Sequence, residues 1–202
     1  MRNFMTRMAP VAAMMIGAAG SANAAPASAA SADDLIAALK QGGHVIYIRH
    51  TQTESDYADQ VDAVLGDCST QRVLSETGWQ QAKGIGQAMA RHEIPVADVL
   101  SSEYCRAWQT ADLAFGRYQP LAALNFEPAE EYSEAQFEAM AARVEPLLVA
   151  GSGSNRVIVG HDDPFEAAVG IYPEPQGVAF VLKPLPGGGV EVLGSIAPDG
   201  WP

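Results

Sequence analysis

Three short apolar segments constrain this chain more than any other feature. His44-Val45-Ile46-Tyr47-Ile48, Val96–Leu100 and Val157-Ile158-Val159 are rich in β-branched residues and predict buried strands. Each runs straight into polar residues: Arg49-His50 after the first, Ser101 to Arg106 after the second, Gly160-His161 after the third. Helix-periodic stretches separate them. Strands alternating with helices imply an α/β fold, with a mostly parallel central sheet and helices on both faces. In such sheets ligands lie beyond the carboxyl ends of the strands. The three polar segments are therefore expected to converge at one sheet edge.

The helical stretches carry their own start and stop signals. Asp33–Gln41 places Leu35, Ile36 and Leu39 on one side and stops at Gly42-Gly43. Ser75 can cap a helix to about Arg91 with Ala82, Ile85 and Met89 inward. A helix is predicted from Arg106 to Phe115, with Gly116 as its stop. Ser133-Glu134-Ala135-Gln136 is a capping box opening a helix with Phe137, Met140, Val144 and Leu147 at helical spacing. Two more strands are predicted near Val178–Leu182 and Val190–Leu193, and residues 51–72 read as a loop.

The first residues read as a targeting segment. Arg2 and Arg7, an apolar run from Ala9 to Gly20, and Ser21-Ala22-Asn23-Ala24 have the order of a secretory signal peptide. The expected organisation is a signal peptide at 1–24, a flexible lead-in at 25–32, and one domain at 33–202, exported to a periplasm or beyond. The apolar run is too short to span a bilayer, so no stable membrane insertion of the mature chain is expected. Cleavage would leave 10 basic against 24 acidic residues, a net charge of −14. Such a surface disfavours nucleic acid as a partner and makes any cluster of arginines conspicuous. Cys68 and Cys105 can pair in an oxidising compartment or remain two free thiols.

Four segments carry the chemistry. They are Arg49-His50-Thr51-Gln52-Thr53, Leu74-Ser75-Glu76-Thr77-Gly78 with Gln81-Ala82, Ser101-Ser102-Glu103-Tyr104-Cys105-Arg106-Ala107 with Gln109-Thr110-Ala111, and Val157–His161. In this order they resemble the segments of the histidine phosphatase superfamily (phosphoglycerate mutase-like). The resemblance implies that His50 is the nucleophile, forming a phosphohistidine, and that Arg49, Arg106 and His161 hold the phosphate. Thr53 belongs to the same first segment and is expected to help hold it. The chemistry suits these residue types, because guanidinium groups stay charged and match the spread negative charge of a phosphoryl group in transfer. Arg106 would also sit at a helix N-terminus, where free N–H groups favour an anion. Arg72 can reach the phosphate from the loop or brace the loop itself.

The leaving group needs a proton donor. The acid-phosphatase branch of the family places an Asp directly after the second histidine, which implies Asp162; Glu103, Glu127, Glu130 and Glu174 are its rivals. Asp162 and Asp163 can alternatively cap a short helix beginning near Pro164. Two departures from the family pattern stand out: Thr51 replaces a Gly, and Asp56 falls where mutase-like members carry a phosphate-binding Asn, which argues against a mutase. Gly84-Ile85-Gly86 lies inside a helix and Gly151-Ser152-Gly153 precedes a strand, so neither is a nucleotide loop. No His/Cys cluster has metal spacing, and no cofactor is expected. The predicted activity is metal-independent hydrolysis of a small phosphorylated substrate. A phosphoprotein (phosphohistidine) phosphatase and a non-catalytic binder of phosphorylated ligands are the alternatives. The loop Ile171–Gly177 can either roof the pocket or serve as a structural turn.

Overall fold

In a computed structural model, residues 30–55, 63–127 and 131–202 are described. The expected signal peptide, Asp56 and Glu130 lie outside them. The described elements are α1 (Ala32–Gln41), β1 (Val45–Arg49), α2 (Glu76–Arg91), β2 (Val96–Ser101), α3 (Cys105–Phe115), β3 (Gln119–Pro120), α4 (Glu134–Val144), β4 (Asn155–Gly160), α5 (Asp162–Val169), β5 (Ala179–Pro184) and β6 (Val190–Ile196). The sheet runs β3-β2-β4-β1-β5-β6. Pairs β2–β3, β2–β4 and β1–β4 are parallel, and β5 and β6 are antiparallel additions on one side.

Central β1 is buried along its whole length, which explains why it reads as an unbroken apolar run. Its side chains divide between two cores. Ile46 and Ile48 join Val157, Val159 and the inward faces of α1, α2 and α3; Val45 and Tyr47 join Ile158, Phe165 and Val144 beneath α4 and α5. Alternation along the strand thus fixes which helices cover which face. At Gly86 a side chain would collide with the Ala114 carbonyl, so glycine there is what lets α2 and α3 approach closely. Ser31 caps α1, and Ala30 and Ala32 pack on the first core.

The predicted helix starts at Ser75 and Ser133 have the capping bonds their sequences imply. Helix α3 differs: Tyr104 makes no side-chain cap. Instead the Cys105 amide donates to Gln71 Oε1 at 2.8 Å, and Gln71 is fully buried. The same junction is closed covalently by a Cys68–Cys105 disulfide. Of the two states left open by the sequence, the structure has the bridged one. A link closing a loop of this length contributes on the order of 2–4 kcal/mol, and here it anchors the 63–72 loop against the start of α3.

Candidate active site

The carboxyl ends of β1, β2 and β4 come together as the sequence pattern predicts. β1 and β4 pair so that Arg49 lies opposite Gly160, and the next amide, His50 N–H, donates to the Gly160 carbonyl at 2.9 Å. His50 and His161 are fully buried, with ring centroids 5.5 Å apart and planes inclined at 61°. Beneath His161, the Tyr47 hydroxyl donates to its carbonyl at 2.8 Å and accepts from its amide at 3.1 Å. A side chain at position 160 would strike that hydroxyl, so Gly160 is required for the Tyr47 clasp.

The hydrogen bonds of each imidazole define its open nitrogen. His50 Nδ1 lies 2.9 Å from the Thr51 carbonyl, an oxygen that only accepts, so Nδ1 carries the proton. Its Nε2 is buried with no partner among the described residues and bears the lone pair. His161 is the reverse: Nε2 is 2.8 Å from Ser102 Oγ, and Nδ1 is the buried nitrogen without a partner among the described residues. Two unsatisfied ring nitrogens in one buried site are costly unless a ligand meets them.

Three arginines surround this pair. Arg106 Cζ lies 5.1 Å from the Phe126 ring and 5.2 Å from the Tyr104 ring, and both rings pack edge-on against His161. Burial, and then the Arg106 charge, hold both imidazoles well below their ordinary pKa, with Arg72 and Arg49 adding to the effect. The Arg72 charge is therefore felt by both histidines. Arg49 is tied down: Nη1 donates to Glu174 Oε2 at 2.6 Å and to the Pro173 carbonyl at 2.9 Å, and Nη2 donates to Asp162 Oδ2 at 2.6 Å. The Tyr172 hydroxyl also donates to Asp162 Oδ2, at 2.8 Å.

The helix-cap reading of Asp162 and Asp163 does not hold, since the start of α5 has no side-chain cap. Asp162 faces Arg49, and Asp163 accepts from the Tyr132 hydroxyl at 2.9 Å. Burial, with Asp162 adjacent, raises the Asp163 carboxyl above its usual range. Among the rival acids, Glu103 accepts from Asn125 Nδ2 and Glu127 is paired with Arg143, while Glu174 shares Arg49. Thr53 turns its amide to Gln176 Oε1 at 3.0 Å, and Thr51, standing where the family has Gly, is buried with its amide and hydroxyl on Thr110. The loop after α5 is strapped to the site, for Gly177 N–H reaches the carbonyls of Arg49 and His50. Beside it lies a cleft of about 570 Å³ lined by Gln52, Gln81, Glu174 and Gln176. Neither histidine lines that cleft; Glu174 joins it to the site through Arg49.

Sequence reasoning misses Ser102 and Asn125. Ser102 is visible only as part of a motif, and Asn125 lies in a segment with no pattern of its own. Their role emerges from the fold, which brings residue 125 over the end of β2.

Comparison with known proteins agrees with this architecture. The SixA protein histidine phosphatase complexed with tungstate is 14% identical, with a TM-score of 0.55 over 77% of this chain and 97% of that one. A mutant phosphoserine phosphatase from Entamoeba histolytica in complex with phosphoserine is also 14% identical, with a TM-score of 0.55 over 75% of this chain and 95% of that one. TTHB049 from Thermus thermophilus is 21% identical, with a TM-score of 0.52 over 76% of this chain and 99% of that one. At these identities the likeness establishes the fold. No curated protein sequence matches. The family model for the histidine phosphatase superfamily, branch 1, matches residues 45–145.

The buried imidazoles give a stability signature. Their depressed native pKa values mean that the unfolded chain, with histidines near pKa 6.5, binds more protons below that pH. Unliganded stability must therefore fall as pH drops below about 6.5, until the native values are reached. Each histidine adds up to about 1.4 kcal/mol per pH unit to that slope. Chemical denaturation at stepped pH should show a shallower slope for His50→Asn than for the unaltered protein; equal slopes would contradict the neutral buried ring.

Proposed function

The chain belongs to the histidine phosphatase superfamily, and we propose that it hydrolyses phosphate monoesters without a metal through a phosphohistidine on His50. The observation that carries this reading is the pair of buried imidazoles, each bonded at one nitrogen and open at the other, ringed by the charges of Arg49, Arg72 and Arg106. A neutral imidazole with a bare Nε2 is a nucleophile, and the arginines supply the charge stabilisation that phosphoryl transfer needs.

The His50 Nε2 lone pair forms a bond to phosphorus while the ester P–O bond breaks, and Asp162 gives a proton to the departing oxygen. Water then attacks the phosphorus, its proton passing to the Asp162 carboxylate. The P–N bond breaks, and inorganic phosphate leaves with His50 restored. A phosphate that takes the Arg49 donors releases Asp162 from its ion pair with Arg49. Hydrolysis of an aryl phosphate in the presence of chelator, compared with His50→Ala, tests the nucleophile: turnover is expected to vanish in the variant. Asp162→Asn should slow alkyl phosphates by about 10²–10⁴-fold, the usual scale of acid–base catalysis, and slow an aryl phosphate with a good leaving group far less. Equal losses on both substrates would remove Asp162 as donor.

We further propose that the mature chain works outside the cytoplasm. The signal-like N-terminus supports this, as does the Cys68–Cys105 disulfide, a bond that persists in oxidising compartments. The intact mass of the chain recovered from a periplasm should correspond to a start at Ala25 with both thiol hydrogens absent. A start at Met1 with two free thiols would contradict it.

A further inference from the structure

His161 does not hold its orientation alone. We propose that Glu103, Asn125 and Ser102 form a one-way hydrogen-bond relay that fixes His161 as the Nε2–H tautomer, leaving Nδ1 as the nitrogen that meets the phosphoryl group. This inference rests on the reading of His161 as a phosphate-site residue.

The direction of the relay follows from groups whose roles cannot be exchanged. The Glu103 amide can only donate, and it donates to Asn125 Oδ1 at 3.0 Å. That contact sets which end of the Asn125 side chain is oxygen. Asn125 Nδ2 then points to Glu103 Oε2 at 2.8 Å, closing a two-point clasp between side chain, carboxylate and backbone. Ser102 Oγ lies 2.8 Å from Asn125 Oδ1. An amide oxygen only accepts, so the single hydroxyl proton of Ser102 is committed to it. The Tyr104 amide, again only a donor, lies 3.2 Å from the same Oγ and uses one of its lone pairs. What remains on Ser102 is an acceptor site, and His161 Nε2 is 2.8 Å away. The ring must donate there. Nε2 therefore carries a proton, and the buried, unpartnered Nδ1 is the position left for a ligand.

The consequence concerns charge. With Nδ1 bare the ring offers a lone pair, which a phosphoryl oxygen avoids. A phosphorylated ligand therefore enters with a proton taken up at Nδ1, giving an imidazolium that donates at both ends: to Ser102 and to the phosphoryl oxygen. The Glu103 carboxylate closes the far end of the relay by accepting from Asn125 Nδ2. Ser102, Asn125 and Glu103 are thus positioning residues that act through His161.

The chain has only four histidines, so its ring nitrogens can be resolved individually. ¹⁵N-labelled histidine in the full-length protein, free of ligand at pH 7.5, should show His161 protonated at Nε2 and bare at Nδ1. Asn125→Ala frees the Ser102 proton to turn toward Nε2, so the tautomer should invert to Nδ1–H. Ser102→Ala removes the acceptor, so the preference should be lost, and kcat/KM should fall by about 10–100-fold, the scale seen when a partner that orients a metal-bound histidine is removed. General damage to packing would not invert a tautomer, which separates the relay from a structural role. An Nδ1–H ring in the unaltered protein, or an unchanged tautomer in both variants, would overturn the proposal. The resonances require no turnover, so this outcome is independent of whether His50→Ala abolishes activity.

Discussion

The hydrogen bond from the His50 amide to the Gly160 carbonyl joins the two strand ends on which the whole site depends. It continues the parallel β1–β4 ladder by one rung beyond the last paired residues, so the chain leaves both strands in register. His50 and His161 emerge side by side because of that rung. The Tyr47 clasp beneath His161 and the straps from Gly177 to Arg49 and His50 then lock the two exits from below and from the side. A slip of one residue in this pairing would turn every β1 side chain to the opposite face and separate the imidazoles.

Electrostatics sets a second condition. The site must be cationic to hold phosphate, yet its nucleophile must be neutral to attack. Burial and the neighbouring arginines achieve both, since the same positive charges that attract an oxyanion also keep protons off the rings. The acidic character of the rest of the chain sharpens the contrast. Arg49 shows how tightly the charge is managed: without a ligand its donors rest on Asp162, Glu174 and a backbone carbonyl. A phosphoryl group has to exchange with those partners, so the loop carrying Glu174 is coupled to occupancy of the site.

Much of this is legible in the sequence. Strand runs and capping residues are local signals, and they place α2, the start of α4 and the three parallel strands to within a residue or two, although α4 ends at Val144 and Leu147 falls in a separate 3-10 turn. The convergence of Arg49, His50, Arg106 and His161 follows from strand-end logic together with a motif order. Other features are not legible, for identifiable reasons. β3 is a two-residue edge strand with no pattern to read. The start of α3 is capped by Gln71, a residue 34 positions away, so nothing in its own sequence announces it. Capping is open as an alternative for Asp162 and Asp163 because acids are common at a helix start; here they bond to Arg49 and Tyr132 instead. The pairing of Cys68 with Cys105 and the relay through Asn125 depend on distances that only the folded chain defines.

The central claim is that His50 Nε2 becomes phosphorylated during turnover. Rapid acid-free quenching of the protein with a ³²P-labelled phosphate monoester, followed by peptide mapping, tests it most directly. The expected result is an acid-labile, base-stable label on the peptide containing His50. Turnover with no covalent label, or a label on a different residue, would contradict it.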